Sequence, residues 1–179
     1  LSSSLSLPKN SARITIDGDG YTLSLNGNLT LNGDMDFANI RLYNAKDKGT
    51  TGDYISVYCC GHDVHFRDTV TCGKAGLAYP SIMAGFNKPT GFTGGRLTID
   101  GGTWQRVRGG NASTGNVKQC AEVTINGGEI YIDGPSDNGN SAIDYGDRSS
   151  AYVNGGTLVA IGSSGMAEGM SDSSKQKVL

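Results

Sequence analysis

The stretch TIDGGT at residues 98–103 decides the fold, because it recurs as TINGGE at 124–129 and as YVNGGT at 152–157. Each copy has an apolar residue before an Asp or Asn and a glycine pair, and β-type residues follow. The polar residue advances by 26 positions and then by 28. A period of roughly 20–30 residues, built from short β segments and glycine corners, is typical of a stacked repeat in which no copy buries its apolar face alone.

The repeat predicts an all-β fold, a single-stranded parallel β-helix of about six to seven turns. Hairpins are the competing interpretation, since Asn-Gly between alternating segments is also a strong hairpin signal. A unit of about 26 residues is too long for a meander, and no helical period is present to supply crossovers for an ordinary parallel sheet. We expect one domain over residues 1–179, taken from a longer protein. Asn and Asp side chains at successive corners are expected to form a hydrogen-bonded ladder.

The same corner chemistry is found earlier in the chain, with the cysteine of Cys60-Gly61 in the place of the asparagine. The interval from Asn32 to Cys60 is again 28 residues, whereas the interval from Cys60 to Asp100 is 40. We interpret the longer interval as a turn that carries an insertion.

Composition and charge exclude several classes of protein. Glycine makes up 28 of 179 residues, but it lacks the three-residue period of collagen. The net charge of -2 argues against a nucleic-acid binder of the usual basic type. No apolar run approaches the length of roughly 18 residues that a membrane span needs, so we expect no membrane insertion.

The charge is distributed unevenly along the chain. Residues 86–120 carry five basic residues against one acid, which gives +4, and residues 121–172 carry eight acids against one arginine, which gives -7. A basic band beside an acidic band favours an anionic ligand and a cation in neighbouring places. A solvated surface with uneven charge is the alternative interpretation.

Aligning the three clear copies assigns side chains to columns along the predicted coil. One column holds Trp104, Ile130 and Leu158, and the next holds Gln105, Tyr131 and Val159. We expect Trp104 to fill the core, because its column is otherwise aliphatic, and Tyr131 to point outward. Arg106 falls in an inward column, so we expect a bulge over residues 105–107 that turns its side chain to solvent. Arg108 lies just before a glycine pair, and we expect its side chain to be less constrained than that of Arg106.

The four cysteines, Cys59, Cys60, Cys72 and Cys120, have no spacing typical of a zinc site. Adjacent cysteines on a strand point to opposite faces, so Cys59 and Cys60 do not easily reach one partner. Two alternatives are equal here. Either one local disulfide joins Cys59 or Cys60 to Cys72, or the cysteines are buried free thiols.

A candidate calcium site lies in the loop over residues 133–147. Calcium binds six to eight oxygens from carboxylates, side-chain amides, carbonyls and water, and this loop offers all of these groups. Its candidate ligands are Asp137, Asn140, Asp144 and Asp147. An ordinary wide corner between two turns is the alternative.

The last third of the chain resembles a known family. Asn138-Gly139-Asn140, Asp144-Tyr145, NGGTL at 154–158 and GSSGMA at 162–167 follow one another in the order found in the β-helical carbohydrate-binding domain of clostridial secreted and cell-surface proteins. The resemblance covers residues 126–179. It implies a right-handed, pectate-lyase-like helix that holds calcium and binds acidic plant polysaccharide, such as polygalacturonate, without cleaving it.

The leading functional prediction is therefore non-catalytic polysaccharide binding by a secreted or cell-surface bacterial protein. Uronate carboxylates are expected to meet Arg106 and Arg108, since guanidinium pairs with carboxylate in bidentate fashion. Tyr131 or Tyr145 is expected to stack on a sugar ring. Other domains of the same surface protein are further expected partners.

Two alternative functions stay open at this point. A structural stalk or adhesin module would display other domains and bind no glycan. A uronate lyase would use Arg106 or Lys118 as its base, although no lyase signature surrounds either residue. The Asn-Thr-Asp, Asp-Asp and Gly-His-Gly signatures of polygalacturonases are also missing, so we expect no catalytic residues.

Overall fold

The computed structural model describes residues 4–46, 55–76, 78–85, 95–109, 122–133, 141–144, 151–161 and 168–171. Every regular element in these ranges is a β-strand, and every strand pair is parallel. The parallel sheets stack as a β-solenoid of at least about four turns. The predicted all-β coil is confirmed, and the competing hairpin interpretation is wrong for these strands. None of the described residues form a helix long and apolar enough to cross a membrane.

Two long sheets make two sides of the solenoid. The seven-stranded sheet consists of β1 Leu5–Ser6, β4 Leu29–Thr30, β7 Ser56–Tyr58, β10 Ser81–Met83, β13 Val107–Arg108, β16 Ser141–Asp144 and β19 Glu168–Ser171. The six-stranded sheet consists of β2 Ile14–Asp17, β5 Met35–Ala38, β8 Val64–Phe66, β11 Arg96–Ile99, β14 Glu122–Ile125 and β17 Ala151–Val153. Strands that are neighbours in a sheet are therefore three elements apart in the chain.

The third side is built from two three-stranded sheets that meet. The first consists of β3 Thr22–Leu25, β6 Arg41–Asn44 and β9 Thr71–Lys74, and the second consists of β12 Thr103–Trp104, β15 Glu129–Asp133 and β18 Thr157–Ile161. Strand β9 contacts β12. The chain thus visits the three sides in turn, which is why each copy of the repeat carries short β segments separated by corners.

An aromatic stack runs through the core along the solenoid. The ring centroids of Phe37 and Phe66 are 5.0 Å apart, and those of Phe66 and Trp104 are 4.7 Å apart. Trp104 is fully buried, and the backbone register aligns it with Ile130 and then Leu158. The column and the core position predicted for Trp104 are confirmed.

The corners between the six-stranded side and the third side have the predicted chemistry. Asn126 Nδ2 donates to Asp100 Oδ1 over 2.8 Å, and Asn154 Nδ2 donates to Asn126 Oδ1 over 2.8 Å. Gly102, the second glycine of its pair, has φ of 88°. A side chain at that backbone conformation would be strained, so glycine is required. The hydrogen-bonded ladder is confirmed.

Not every glycine corner is equivalent. Cys60 follows β7 of the seven-stranded sheet, whereas Asp100 follows β11 of the six-stranded sheet. The counterpart of Asp100 in the preceding turn is Arg67, because each residue donates its N–H to the carbonyl of a core phenylalanine one turn earlier. Treating Cys60 and Asp100 as the same corner is therefore wrong, since Asn-Gly and Asp-Gly corners serve more than one edge of the coil.

The cysteines within the described residues are free thiols. Cys59 and Cys60 are buried and Cys72 is half-buried. Burial raises the pKa of Cys59 and Cys60, and it raises the pKa of Cys72 to about 12. The free-thiol alternative is confirmed for these three cysteines, whereas Cys120 lies outside the described residues.

Candidate functional site

A cluster of one lysine and two tyrosines lies on the third side of the solenoid. Lys74 Nζ is 4.3 Å from the ring centroid of Tyr79 and 5.8 Å from that of Tyr131. The two rings meet edge to face, with centroids 6.5 Å apart and an angle of 78°. All three side chains are half-buried. We call Lys74, Tyr79 and Tyr131 the aromatic–lysine cluster.

Strand geometry and a buried amide hold this cluster in place. Tyr131 lies in the middle of β15, and its neighbour Ile130 faces the core, so Tyr131 takes the outer face. The amide of Gln105, which is buried, accepts a hydrogen bond from Tyr79 N over 3.2 Å, and Gln105 N donates to Pro80 O over 2.9 Å. The segment that carries Tyr79 is thereby fixed against the turn that follows it.

Arg106 is not at the surface. Its exposed fraction is 6%, because the chain bends at Gln105 and leaves the third side before β13 begins. Arg106 therefore lies inside a corner between two sheets, and its carbonyl accepts a hydrogen bond from Ile82 N. The predicted turn of the Arg106 side chain to solvent is wrong. A buried guanidinium also fits poorly with the base of a uronate lyase.

Arg108 lies on a different side from Tyr131. It ends β13 in the seven-stranded sheet, where its backbone pairs with Met83 on one strand and with Asp144 on the other. The structure thus places Arg108 beside the backbone of a predicted calcium ligand, and it separates both from the aromatic–lysine cluster. Among the predicted ligand-binding residues that the structure describes, Arg106, Arg108 and Tyr131 do not share one surface.

Several predicted residues cannot be compared with the fold. Tyr145, Asp137, Asn140, Asp147 and Lys118 lie outside the described residues. Within the described parts of the chain, no three His, Cys, Asp or Glu side chains come together as a group that could hold a metal ion.

The outer face of the six-stranded sheet carries a network of ion pairs. Asp36 accepts hydrogen bonds from Arg13 Nη1 and from Arg67 Nη2, the latter over 2.9 Å. His65 Nε2 lies 2.6 Å from Asp100 Oδ2 at the start of the corner ladder. Because these cations are paired with carboxylates, we interpret the network as one that stabilises the stacking of successive turns, and not as a binding site for an anion.

Two carboxyl groups in this network have lowered pKa values. Burial alone would raise the pKa of Asp36, but the hydrogen bonds and charges of Arg67 and Arg13 outweigh burial and lower it. Burial would likewise raise the pKa of Asp100, but hydrogen bonds from Asn126 and His65 lower it. Both carboxylates therefore stabilise the folded chain when they are ionised.

Asp36→Asn is expected to flatten the acid dependence of stability. Because the folded pKa of Asp36 lies below its unfolded value of about 3.9, its contribution is present above that pH and is lost as pH falls through the folded pKa. We expect the variant to lose about 1 kcal/mol at pH 7, since both arginines are partly exposed and solvent screens the pairs. Urea unfolding between about pH 2 and 7 measures both effects.

Asp68→Asn is the matched control, because Asp68 is an exposed acid one residue after Arg67. It should keep the acid dependence of the parent chain. If Asp36→Asn unfolds with the same pH profile as the parent chain, the ion pairs do not stabilise the fold.

Lys74 and Tyr79 were missed by the sequence reasoning. They lie outside the three clear copies of the repeat, and 57 residues separate Lys74 from Tyr131. Their contacts with Tyr131 join different turns of the solenoid, so a repeat alignment carries no signal for them. The contact of His65 with Asp100, 35 residues away, was also missed, because His65 lies outside the three clear copies.

Comparison of this chain with protein-family models, with curated proteins and with solved structures gave no match. The resemblance of residues 126–179 to the clostridial carbohydrate-binding domain therefore stays a prediction.

Proposed function

We propose that this chain binds an acidic polysaccharide, such as polygalacturonate, without cleaving it. The observation that carries the proposal is the aromatic–lysine cluster, in which one ammonium lies close to two tyrosine rings that meet edge to face. Arg106, the residue first expected to meet uronate carboxylates, is replaced in that role by Lys74.

The chemistry of the cluster suits a sugar acid. A cation over an aromatic face is positioned by the ring while it keeps its charge, so Lys74 can attract a carboxylate. Tyrosine combines an apolar ring face with a hydroxyl group, and a pyranose ring likewise has apolar C–H faces and hydroxyl edges. The two kinds of group side by side favour a uronate over a neutral sugar.

The fold around the cluster suits a polymer. Solenoids present extended surfaces along their axis, and the third side is such a surface. We further propose that the coil is right-handed and has six to seven turns. The cycle of seven-stranded sheet, six-stranded sheet and third side runs six times between β1 and β18, which supports that number.

We also propose that the protein is secreted or displayed at a bacterial cell surface, and that calcium binds in the loop over residues 133–147. The support is the resemblance of residues 126–179 and the oxygen-rich composition of the loop. Among the candidate calcium ligands, Asp144 lies within the described residues, at the end of β16.

Affinity electrophoresis in gels that contain polygalacturonate tests the binding proposal, with calcium or with a chelator. We expect the parent chain to be retarded in polygalacturonate and not in a neutral glucan. Lys74→Gln and Tyr131→Ala are each expected to weaken binding about tenfold, which corresponds to about 1.4 kcal/mol for the loss of one charge-assisted or stacking contact. Chelation should weaken binding if the calcium loop supports the ligand site.

Lys9→Gln and Tyr152→Ala are matched controls, since Lys9 is exposed before β2 and Tyr152 lies on the six-stranded side. Both should be retarded like the parent chain. Absence of retardation in polygalacturonate would exclude the proposed function and leave the stalk or adhesin alternative. Equal retardation by dextran sulfate would show a general polyanion surface and overturn the assignment to uronates.

A further inference from the structure

A second pair of a cation and an aromatic ring lies on the same side of the solenoid. Arg41 and Tyr43 alternate with the fully buried Leu42 in β6, so both take the outer face. The guanidinium carbon of Arg41 is 5.2 Å from the ring centroid of Tyr43. Arg41 is exposed and Tyr43 is half-buried. The pair therefore offers a flat, charged donor against an aromatic face.

A glycine on the next strand makes room for this pair. Gly73 of β9 is the register partner of Tyr43. A Cβ atom at Gly73 would lie 2.6 Å from Arg41 Nη2 and 2.7 Å from Tyr43 Cδ2. Any other residue there would push the guanidinium and the Tyr43 ring aside, so the glycine allows both side chains to lie over the strand.

A concavity of about 440 Å³ adjoins Arg41. Asn39, Thr69 and Thr71 line it together with Arg41, and Asp19 is the acid in its lining. Its size is within the range of roughly 300–1,000 Å³ that is usual for small-ligand sites. Hydroxyl, amide and carboxylate groups around one guanidinium suit a ligand with many hydroxyls and one carboxylate.

The pair and the aromatic–lysine cluster are aligned along the axis. Strand β6 pairs with β9, β9 contacts β12, and β12 pairs with β15, which carries Tyr131. Three strand spacings separate Tyr43 from Tyr131, which is roughly 14 Å along the solenoid. A ligand that contacts both Tyr43 and Tyr131 must be an extended chain.

We infer that Arg41 and Tyr43 form a second uronate subsite, which we call the arginine subsite. One polysaccharide chain lies along the third side and contacts the arginine subsite and the aromatic–lysine cluster at the same time. Arg41 binds one carboxylate in bidentate fashion, and Tyr43 packs against a sugar ring. The inference rests on the proposed function, because it assigns a second contact to the same ligand.

Two subsites on one chain make affinity depend on ligand length. Once the aromatic–lysine cluster holds one end of the chain, binding at the arginine subsite becomes intramolecular and gains from a high effective concentration. Lys74 lies on β9, the strand next to the arginine subsite, but Tyr131 lies three strands from Tyr43, so a disaccharide is too short to contact both tyrosines. The affinity of the parent chain should therefore rise steeply between digalacturonate and long polygalacturonate.

Titration calorimetry of digalacturonate and polygalacturonate, with binding expressed per chain, tests this arrangement. We expect Arg41→Gln to weaken polygalacturonate binding at least tenfold and to abolish most of the gain with length. Gly73→Ala should have the same effect, because the added methyl group would displace both the Arg41 guanidinium and the Tyr43 ring, all three contacted atoms being side-chain atoms. Circular dichroism before titration confirms that each variant is folded.

Arg96→Gln is the matched control, since Arg96 is an exposed arginine on the six-stranded side. It should bind both ligands like the parent chain. If Lys74→Gln weakens binding while Arg41→Gln and Gly73→Ala bind polygalacturonate normally, the arginine subsite is overturned and the proposed function stands. If the parent chain binds neither ligand, the proposed function itself fails.

Discussion

Trp104→Ala is expected to lower the free energy of unfolding by about 3–5 kcal/mol, the range typical of a large aromatic residue removed from a packed core. Trp104 is fully buried, and its ring contacts Phe66 at a centroid distance of 4.7 Å. Its Nε1 donates to Gly101 O over 2.9 Å, so the substitution also leaves a buried carbonyl without that donor. Both losses fall on the turn that joins the two halves of the third side.

Urea unfolding monitored by circular dichroism measures the loss. Trp104→Phe keeps a ring in the cavity and should lose clearly less stability than Trp104→Ala. Tyr21→Ala is the surface control, because Tyr21 is 76% exposed and its removal should change stability by about 0.5 kcal/mol or less. A loss below about 1 kcal/mol for Trp104→Ala would contradict the assignment of this residue to the core.

Gly127→Ala is expected to destabilise the chain by about 3 kcal/mol through contact between two turns. A Cβ atom at Gly127 would lie 2.3 Å from the backbone oxygen of Asp100. Backbone cannot move aside as a flexible side chain does, so the two turns must separate at this corner. The separation also strains the Asn126–Asp100 hydrogen bond of the ladder and the bond from Asn126 N to Ile99 O.

Gly20→Ala separates this contact from the conformational cost of replacing a glycine. Gly20 has φ of 79°, but no atom lies within 4 Å of a Cβ atom placed there. Its substitution should cost only about 1–2 kcal/mol for the left-handed backbone. The backbone at Gly127 is not in the left-handed region, so the stability lost on its substitution comes from packing. Thermal unfolding of both variants distinguishes the two effects, and a smaller loss at Gly127 than at Gly20 would refute close packing of the turns.

The core and the corner ladder were predictable because they repeat. Trp104 shares a column with aliphatic residues one and two turns later, and an inward column must be apolar whichever turn it is in. Asp100, Asn126 and Asn154 share a corner, and stacked polar side chains at one spacing form hydrogen bonds to each other. Periodic positions carry the same physical constraint in each copy, so their alignment predicts their environment.

The position of Arg106 was not predictable in this way. Alignment with the later copies treats residues 103–107 as one continuing strand, whereas the chain bends at Gln105 and enters another sheet. The bend depends on hydrogen bonds between Gln105 and the segment of Tyr79 and Pro80, one turn earlier. A contact between distant segments therefore decides whether a side chain at a corner faces the core or the solvent.

The sequence by itself determined the architecture of this protein, namely stacked parallel strands, glycine corners, a polar ladder and a buried Trp104. These features follow from short-range conformational preference and from a spacing of 26 to 28 residues, both of which are written along the chain. Only the tertiary structure decided which functional groups meet. Lys74 and Tyr79 lie five residues apart around the corner that follows β9, whereas Tyr131 belongs to a later turn and shares no motif with them. The stacking of turns therefore brings the second aromatic ring to the ammonium.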